Sequence, residues 1–266
     1  MTKSVLITGA SQGSGRATAL LFAQKGYNVA IAARQLDRLE AVAAEVRARG
    51  QQAIALSTDV SEAEQVEALV NKALAEFGQI DVLVNNAGVC LTGSVEHMTL
   101  ADWHQLIDVN LWGYIHTIHY VLPQMVQQGS GAIVNVGSFG GKMPLPNMTA
   151  YCTSKYAVTG LSATLRLELS GKGIHVAAVH PGVINSSFME RAMFRGEDAQ
   201  KAGQQRDRMG EMLSQSWVSQ PEEIAQAVWQ AVDQRQDEIV VGPAAIATEA
   251  YRLLPGLTQW ALGRAT

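Results

Sequence analysis

Tyr151 and Lys155 stand four residues apart in the run Tyr151-Cys152-Thr153-Ser154-Lys155. On a helix that spacing puts both side chains on one face. A free phenol titrates near ~10, too high for a proton shuttle at neutral pH. A cation held within ~4–6 Å favours the phenolate by roughly 1–3 units. General acid–base catalysis by a group so tuned is worth ~10²–10⁴ in rate. A tyrosine and a lysine at this spacing occur in many helices by chance, so their company matters. Ser138 follows the apolar run AIVNV at 132–136, Asn85-Asn86-Ala87-Gly88 follows IDVLV at 80–84, and Asp59 follows the apolar run at 53–57. Asn110 lies inside a long helical stretch after Gly88.

A second cluster precedes these. Thr8-Gly9-Ala10-Ser11-Gln12-Gly13-Ser14-Gly15 joins a β-rich run to a helical one. Glycines let the chain turn sharply and bring backbone close to a ligand. A helix start behind them offers unpaired N–H groups and a positive dipole end, which suit a pyrophosphate. The spacing G-x-x-x-G-x-G differs from the G-x-G-x-x-G dinucleotide fingerprint, and a glycine turn without a ligand remains open. Dinucleotide folds selective for NAD carry an acidic residue at the end of the second strand. Here that end reads Ile31-Ala32-Ala33-Arg34. A guanidinium there suits a 2′-phosphate, which points to NADP(H) over NAD(H); the plainer reading is an arginine at a surface strand end. Ser11 offers a hydroxyl to the same phosphate.

The elements that must position these residues follow a regular rhythm. Short apolar runs at 4–8, 28–33, 53–57, 80–84, 132–136, 175–179 and 238–242 alternate with helical stretches at 16–25, 36–49, 62–77, 100–128, 150–170 and 221–235. Continuous apolar runs between helices predict a parallel sheet covered on both faces. Right-handed crossovers then give a doubly wound α/β fold, with about seven strands flanked by helices. No linker or compositional break interrupts the 266 residues, so 1–266 is read as a single domain. A chain of this size can bury about three quarters of its extended surface without disulfides or metal.

The formal net charge is −4 and no basic run occurs, which argues against nucleic acid as a partner. No apolar run reaches the ~18–20 residues of a membrane span, and the start MTKSVLITGA has no signal-peptide pattern. Cys90 and Cys152 form no motif and are read as free buried thiols of a cytoplasmic protein. His116 and His119 lack the acidic or thiol company of a metal site, so no metal is expected. His180, just before Pro181, is read as a hydrogen-bonded structural histidine, with an approach to a nicotinamide as the sharper alternative.

Taken in order, these motifs resemble the short-chain dehydrogenase/reductase family, over about residues 4–242. Thr8–Gly15 is similar to the family's T-G-x-x-x-G-x-G turn and Asn85–Gly88 to its N-N-A-G. The resemblance implies a Rossmann-type fold in which Gly9, Ser11, Gln12, Gly13, Ser14 and Gly15 hold the pyrophosphate. It implies that Asp59 and Val60 touch adenine, that Asn86, Ala87 and Gly88 border the cofactor, and that Pro181, Gly182, Ile184 and Ser186 lie near the nicotinamide. Asn110, Ser138, Tyr151 and Lys155 resemble the catalytic tetrad. Tyr151 is then the acid/base, Lys155 lowers its pKa and holds the ribose, and Ser138 bonds the substrate oxygen. Asn110, through a local helix irregularity, holds a relay water, and the hydride leaves from the pro-S face. Ser14 and the Asn185-Ser186 pair depart from the residues usual in the family.

Residues 185–217 break the rhythm and carry Phe188, Met189, Met193, Phe194, Met209, Met212 and Trp217. They are read as a substrate lid, since flexible Met side chains adapt to irregular apolar ligands. Phe188 and Met189, with Met143 and Met148 between Ser138 and Tyr151, are expected to line the pocket around a largely apolar carbonyl or alcohol. Residues 244–266 form a helical extension broken at Pro255-Gly256, whose apolar side suits its own domain, a dimer interface or a membrane surface. By resemblance, the family pairs subunits through the helices at 100–128 and 150–170, so a homodimer or homotetramer is expected. Two other functions stay open: a 3-oxoacyl-carrier-protein reductase, against which the ending Ile239-Val240-Val241-Gly242-Pro243 speaks because such reductases usually carry Gly-Gly there, and a catalytically silent NADP sensor or scaffold.

Overall fold

The computed structural model describes residues 2–184, 192–213 and 218–264. Seven parallel strands form one sheet: β1 (Ser4–Thr8), β2 (Asn28–Ala33), β3 (Ala53–Ser57), β4 (Val82–Asn85), β6 (Gly131–Val136), β7 (Ile174–Pro181) and β9 (Glu238–Val241). Their order is β3-β2-β1-β4-β6-β7-β9, with every pairing parallel. All of β1 and all of β7 are buried, as expected of strands covered on both faces.

Helices α1 (Gly13–Gln24), α2 (Leu36–Arg47) and α8 (Pro221–Asp233) pack one face, around Phe22, Leu39, Val42 and Val228. Helices α3 (Ala63–Phe77), α5 (Gly113–Gln128) and α6 (Thr149–Leu169) pack the other, around Leu69, Val121, Met125 and Ile133. The chain winds outward from β1 to β3, then crosses back to place β4 beside β1. That reversal opens a crevice at the carboxyl ends of β1 and β4, where doubly wound sheets bind ligands.

Three details add to the sequence expectation. The stretch 100–128 is not one regular helix, and the irregularity that the family resemblance implies at Asn110 is present. The stretch begins as α4 (Leu100–Ile107), widens into a π turn at Asp108–Trp112 and continues as α5. Second, two three-residue strands, β5 (Leu91–Gly93) and β8 (Met193–Arg195), form a separate parallel pair. Such short strands leave no alternation to read. Third, the region after β8 contains a helix, α7 (Ala199–Leu213). At the carboxyl end, α9 (Ala244–Leu253) and α10 (Pro255–Arg264) meet at Leu254, which leaves the helical conformation just before Pro255.

Candidate active site

The crevice is a cavity of ≈ 470 Å³. Its floor is the glycine turn. Gly9 and Gly13 have φ of +67° and +55°, in the region that favours glycine. A Cβ on Gly15 would lie 2.3 Å from the Gly9 carbonyl oxygen, so the turn closes too tightly for any side chain there. The N-N-A-G turn is stapled to it. Asn86 Nδ2 donates to the carbonyls of Thr8 and Gly9, each at 3.1 Å, and Thr8 Oγ1 accepts from the amides of Asn86 and Ala87. The Ser14 hydroxyl donates to Asn86 Oδ1 at 2.8 Å.

The start of α1 is shaped for an anion. Gln12 is extended, no side chain caps the helix, and no acidic residue sits in its first turn. The amides of that turn therefore face the crevice, whose lining includes Gly9, Ser11, Gln12, Gly13 and Ser14. Arg34, exposed at the end of β2, also lines it, and its guanidinium has no ion pair or hydrogen bond among the described residues. Arg38 reaches back from α2 to donate to Gln12 Oε1. Asp59 is oriented by Ser61, whose amide and hydroxyl both donate to Asp59 Oδ1. Asp59, Val60, Asn86, Ala87, Gly88, Pro181, Gly182 and Ile184 all border the same space. Uncapped amides, a free cation and a glycine-floored cradle suit a phosphorylated dinucleotide.

Ser138, Tyr151 and Lys155 converge at the opposite end. Ser138 leaves β6 extended, and its Oγ accepts from the Gly140 amide at 3.1 Å. Tyr151 and Lys155 occupy one face of α6, 6% and 3% exposed. Burial drives the Tyr151 phenol well above its ordinary range; the Cys90 thiol adds to this and the Ser138 hydroxyl opposes it. Lys155 is pushed down to about 8 by burial. Its Nζ donates to the Val136 carbonyl at 3.1 Å and lies 6.0 Å from the centre of the Tyr151 ring. The phenol pKa is thus raised rather than lowered, with burial the leading cause. Desolvation governs both groups, and the ammonium is turned to a backbone carbonyl.

Asn110 is fully buried in the π turn. Its Oδ1 accepts from the Val89 amide at 2.8 Å, and its Nδ2 donates to the Val89 carbonyl at 2.9 Å and to Ser154 Oγ at 3.0 Å. The widened turn directs this side chain at the backbone just beyond Gly88.

Of the residues expected around a substrate, Met148 lines the cavity. Met143 is buried at the end of the turn after Ser138, its amide donating to the Phe139 carbonyl, and it is not among the residues that line the described cavity. Ser186, Phe188 and Met189 lie outside the described residues. Sequence reasoning missed Val89, Cys90 and Phe139 as lining residues. Cys90 is 2% exposed and its thiol is pushed up to about 12, chiefly by burial. Its place two residues after Gly88 was the available signal. His116, weighed as a metal ligand, instead places Nδ1 3.0 Å from the Val60 carbonyl.

Residues 3–198 match the family model for short chain dehydrogenases. The chain belongs to the short-chain dehydrogenase/reductase family, and it is an oxidoreductase that uses a nicotinamide cofactor. It is 42% identical over 189 residues to a 3-oxoacyl-[acyl-carrier-protein] reductase of Staphylococcus epidermidis, covering 71% of this chain and 78% of that one. A short-chain dehydrogenase/reductase of Burkholderia phymatum, solved with NAD, superposes with a TM-score of 0.87 at 28% identity, covering 95% of each chain. An alcohol dehydrogenase of Thermococcus sibiricus, solved with 5-hydroxy-NADP, gives 0.77 at 30% identity, covering 91% of this chain and 97% of that one.

Proposed function

We propose that this protein is an NADP(H)-dependent reductase of carbonyl groups, or dehydrogenase of secondary alcohols, acting on largely apolar substrates. The observation that carries the reading is the convergence of Ser138, Tyr151 and Lys155 on one cavity with the glycine turn and a free Arg34. The first turn of α1 holds the pyrophosphate, Asp59 and Val60 the adenine, Arg34 the 2′-phosphate and Lys155 the ribose hydroxyls. The bound nicotinamide supplies or accepts the hydride. Tyr151, whose phenol pKa is raised by burial, gives its proton to the carbonyl oxygen during reduction and takes one back during oxidation. Ser138 donates a hydrogen bond to the same oxygen and fixes the carbonyl beside the phenol. Asn110 anchors the loop that borders this end of the cavity. Val89, Cys90, Phe139 and Met148 give the substrate end an apolar wall, and 185–217 is assigned as the lid above it.

Reduction of 3-oxoacyl thioesters is the second reading, favoured by the identity to the staphylococcal reductase. One assay separates the two: oxidation of NADPH followed with acetophenone, cyclohexanone and acetoacetyl-coenzyme A in parallel. The proposal requires turnover of the simple ketones, and turnover of the thioester alone selects the second reading. NADPH binding without turnover of any of them would leave a sensor. Tyr151→Phe should lower turnover by ~10²–10⁴ while leaving NADPH affinity within a few fold.

No helix among the described residues is long and apolar enough to cross a membrane. We assign the protein to the cytoplasm, in keeping with its two free, buried cysteines. A homodimer or homotetramer is proposed through α5 and α6, which expose Val126, Tyr156 and Leu167.

A further inference from the structure

We propose that His180 and Glu238 are positioning residues that, with Lys142, clamp the turn carrying Ser138. The inference rests on Ser138 acting as proposed above. Ser138 begins a short turn that ends at Lys142, and its carbonyl accepts from the Gly141 amide at 2.9 Å. The same carbonyl oxygen lies 3.2 Å from Nδ1 of His180, a fully buried side chain near the end of β7. On the far side of the ring, Nε2 is 2.8 Å from Glu238 Oε1, though without the alignment of a full hydrogen bond. Lys142 Nζ donates to that same Glu238 oxygen, also at 2.8 Å. One carboxylate on β9 therefore grips the turn at both ends, through the imidazole at Ser138 and through the ammonium at Lys142.

The fit is specific. A Cβ on Gly137 would lie 2.6 Å from His180 Nδ1, so only glycine lets the ring rest against the backbone entering the turn. Each ring nitrogen faces an oxygen acceptor, the Ser138 carbonyl on one side and Glu238 Oε1 on the other. The Glu238 carboxyl is held down to about 2, chiefly by His180 and also by Lys142. Lys142 and Glu238 are 27% and 38% exposed, whereas His180 is 0% exposed. The clamp thus runs from the surface to the backbone of a residue whose hydroxyl must meet the substrate oxygen. Placement matters there, since a 1 Å error can cost ~10² in rate.

The test uses the full chain, NADPH and the best ketone of the screen above. Glu238→Gln and Lys142→Met should each lower kcat about tenfold, with KM for the ketone and affinity for NADPH changed by less than about twofold. Their combination should be no worse than Glu238→Gln alone, because both arms meet at one oxygen. Lys142→Arg should restore turnover. In a Ser138→Ala background, Glu238→Gln should change nothing further. A lowered melting temperature with full kcat in Glu238→Gln, or additive losses in the double variant, would overturn the clamp. If Glu238→Gln does not fold, Lys142→Met alone decides by the same kcat criterion. Full turnover by Ser138→Ala removes the serine's role and the clamp with it; an inactive Ser138→Ala beside a fully active Glu238→Gln removes the clamp alone.

Discussion

Replacing Asn110 by Ala tests whether this asparagine, expected in the catalytic tetrad, is also a structural pin. The side chain makes three hydrogen bonds, two to the Val89 backbone and one to Ser154 Oγ. Each is worth about 0.5–1.5 kcal/mol net, so the sum is roughly 1.5–4.5 kcal/mol. Two features pull the value below the upper bound. Ser154 Oγ keeps its bond to the Tyr151 carbonyl at 2.7 Å, so it is not orphaned. Val89 lines the cavity, where water can replace part of what is lost. The expected loss is therefore about 2–3 kcal/mol, which for a domain of this size lowers the melting temperature by roughly 5–10 °C. The assay is equilibrium unfolding in urea, followed by circular dichroism with and without NADPH. Asn110→Asp should be at least as damaging as Asn110→Ala, because a carboxylate accepts from the Val89 amide but faces the Val89 carbonyl with no donor. A loss under about 1 kcal/mol for Asn110→Ala would refute the reasoning and leave Asn110 a purely chemical role.

Other outcomes follow from the same geometry. Arg34→Asp should lower the NADPH-to-NADH ratio of kcat/KM by roughly 10²-fold, the worth of two charge-assisted hydrogen bonds; an unchanged ratio removes the phosphate role. Gly15→Ala places a methyl 2.3 Å from the Gly9 carbonyl oxygen. It should cost about 1–3 kcal/mol in unfolding free energy and weaken NADPH binding at the same time; calorimetry showing neither would contradict the tight turn. Glu238 has a depressed carboxyl pKa, so its stabilisation is complete above the unfolded value and fades as pH falls toward about 2. Between about pH 5 and 3 the melting temperature of the wild type should accordingly fall more steeply than that of Glu238→Gln. The difference is modest, since the group is partly exposed, and parallel curves would count against the depressed value.

Much of the architecture was legible because parallel strands buried on both faces leave unbroken apolar runs. The runs at 4–8, 28–33 and 53–57 coincide with β1, β2 and β3. The cavity-lining glycines, Asn86, Ser138, Tyr151 and Lys155 were legible because turns and strand ends need those residue types at those places. Side-chain direction was not. Spacing put Tyr151 and Lys155 on one face, but not the turn of the ammonium toward Val136. The residue types at 108–112 do not by themselves mark a π turn; the irregularity at Asn110 was legible only through the family resemblance. His180 was read as a structural histidine; that its partners are the Ser138 carbonyl and a carboxylate two strands of sequence away emerges only when β7 and β9 lie side by side.

The small β5–β8 pair fixes more than three residues of ladder. β8 is also moored by Arg195, which forks onto the nearly buried Asp102 at 2.6 and 3.1 Å, while Asp102 closes the capping box with Thr99 at the head of α4. Upstream, Ile184 bridges to Ser219. The stretch from Ile184 to Met193 thus begins and ends at sites set by the surrounding scaffold. On the proposed function, exchange of its sequence should change which carbonyl compounds are accepted, while the sheet to which its ends are tied is retained.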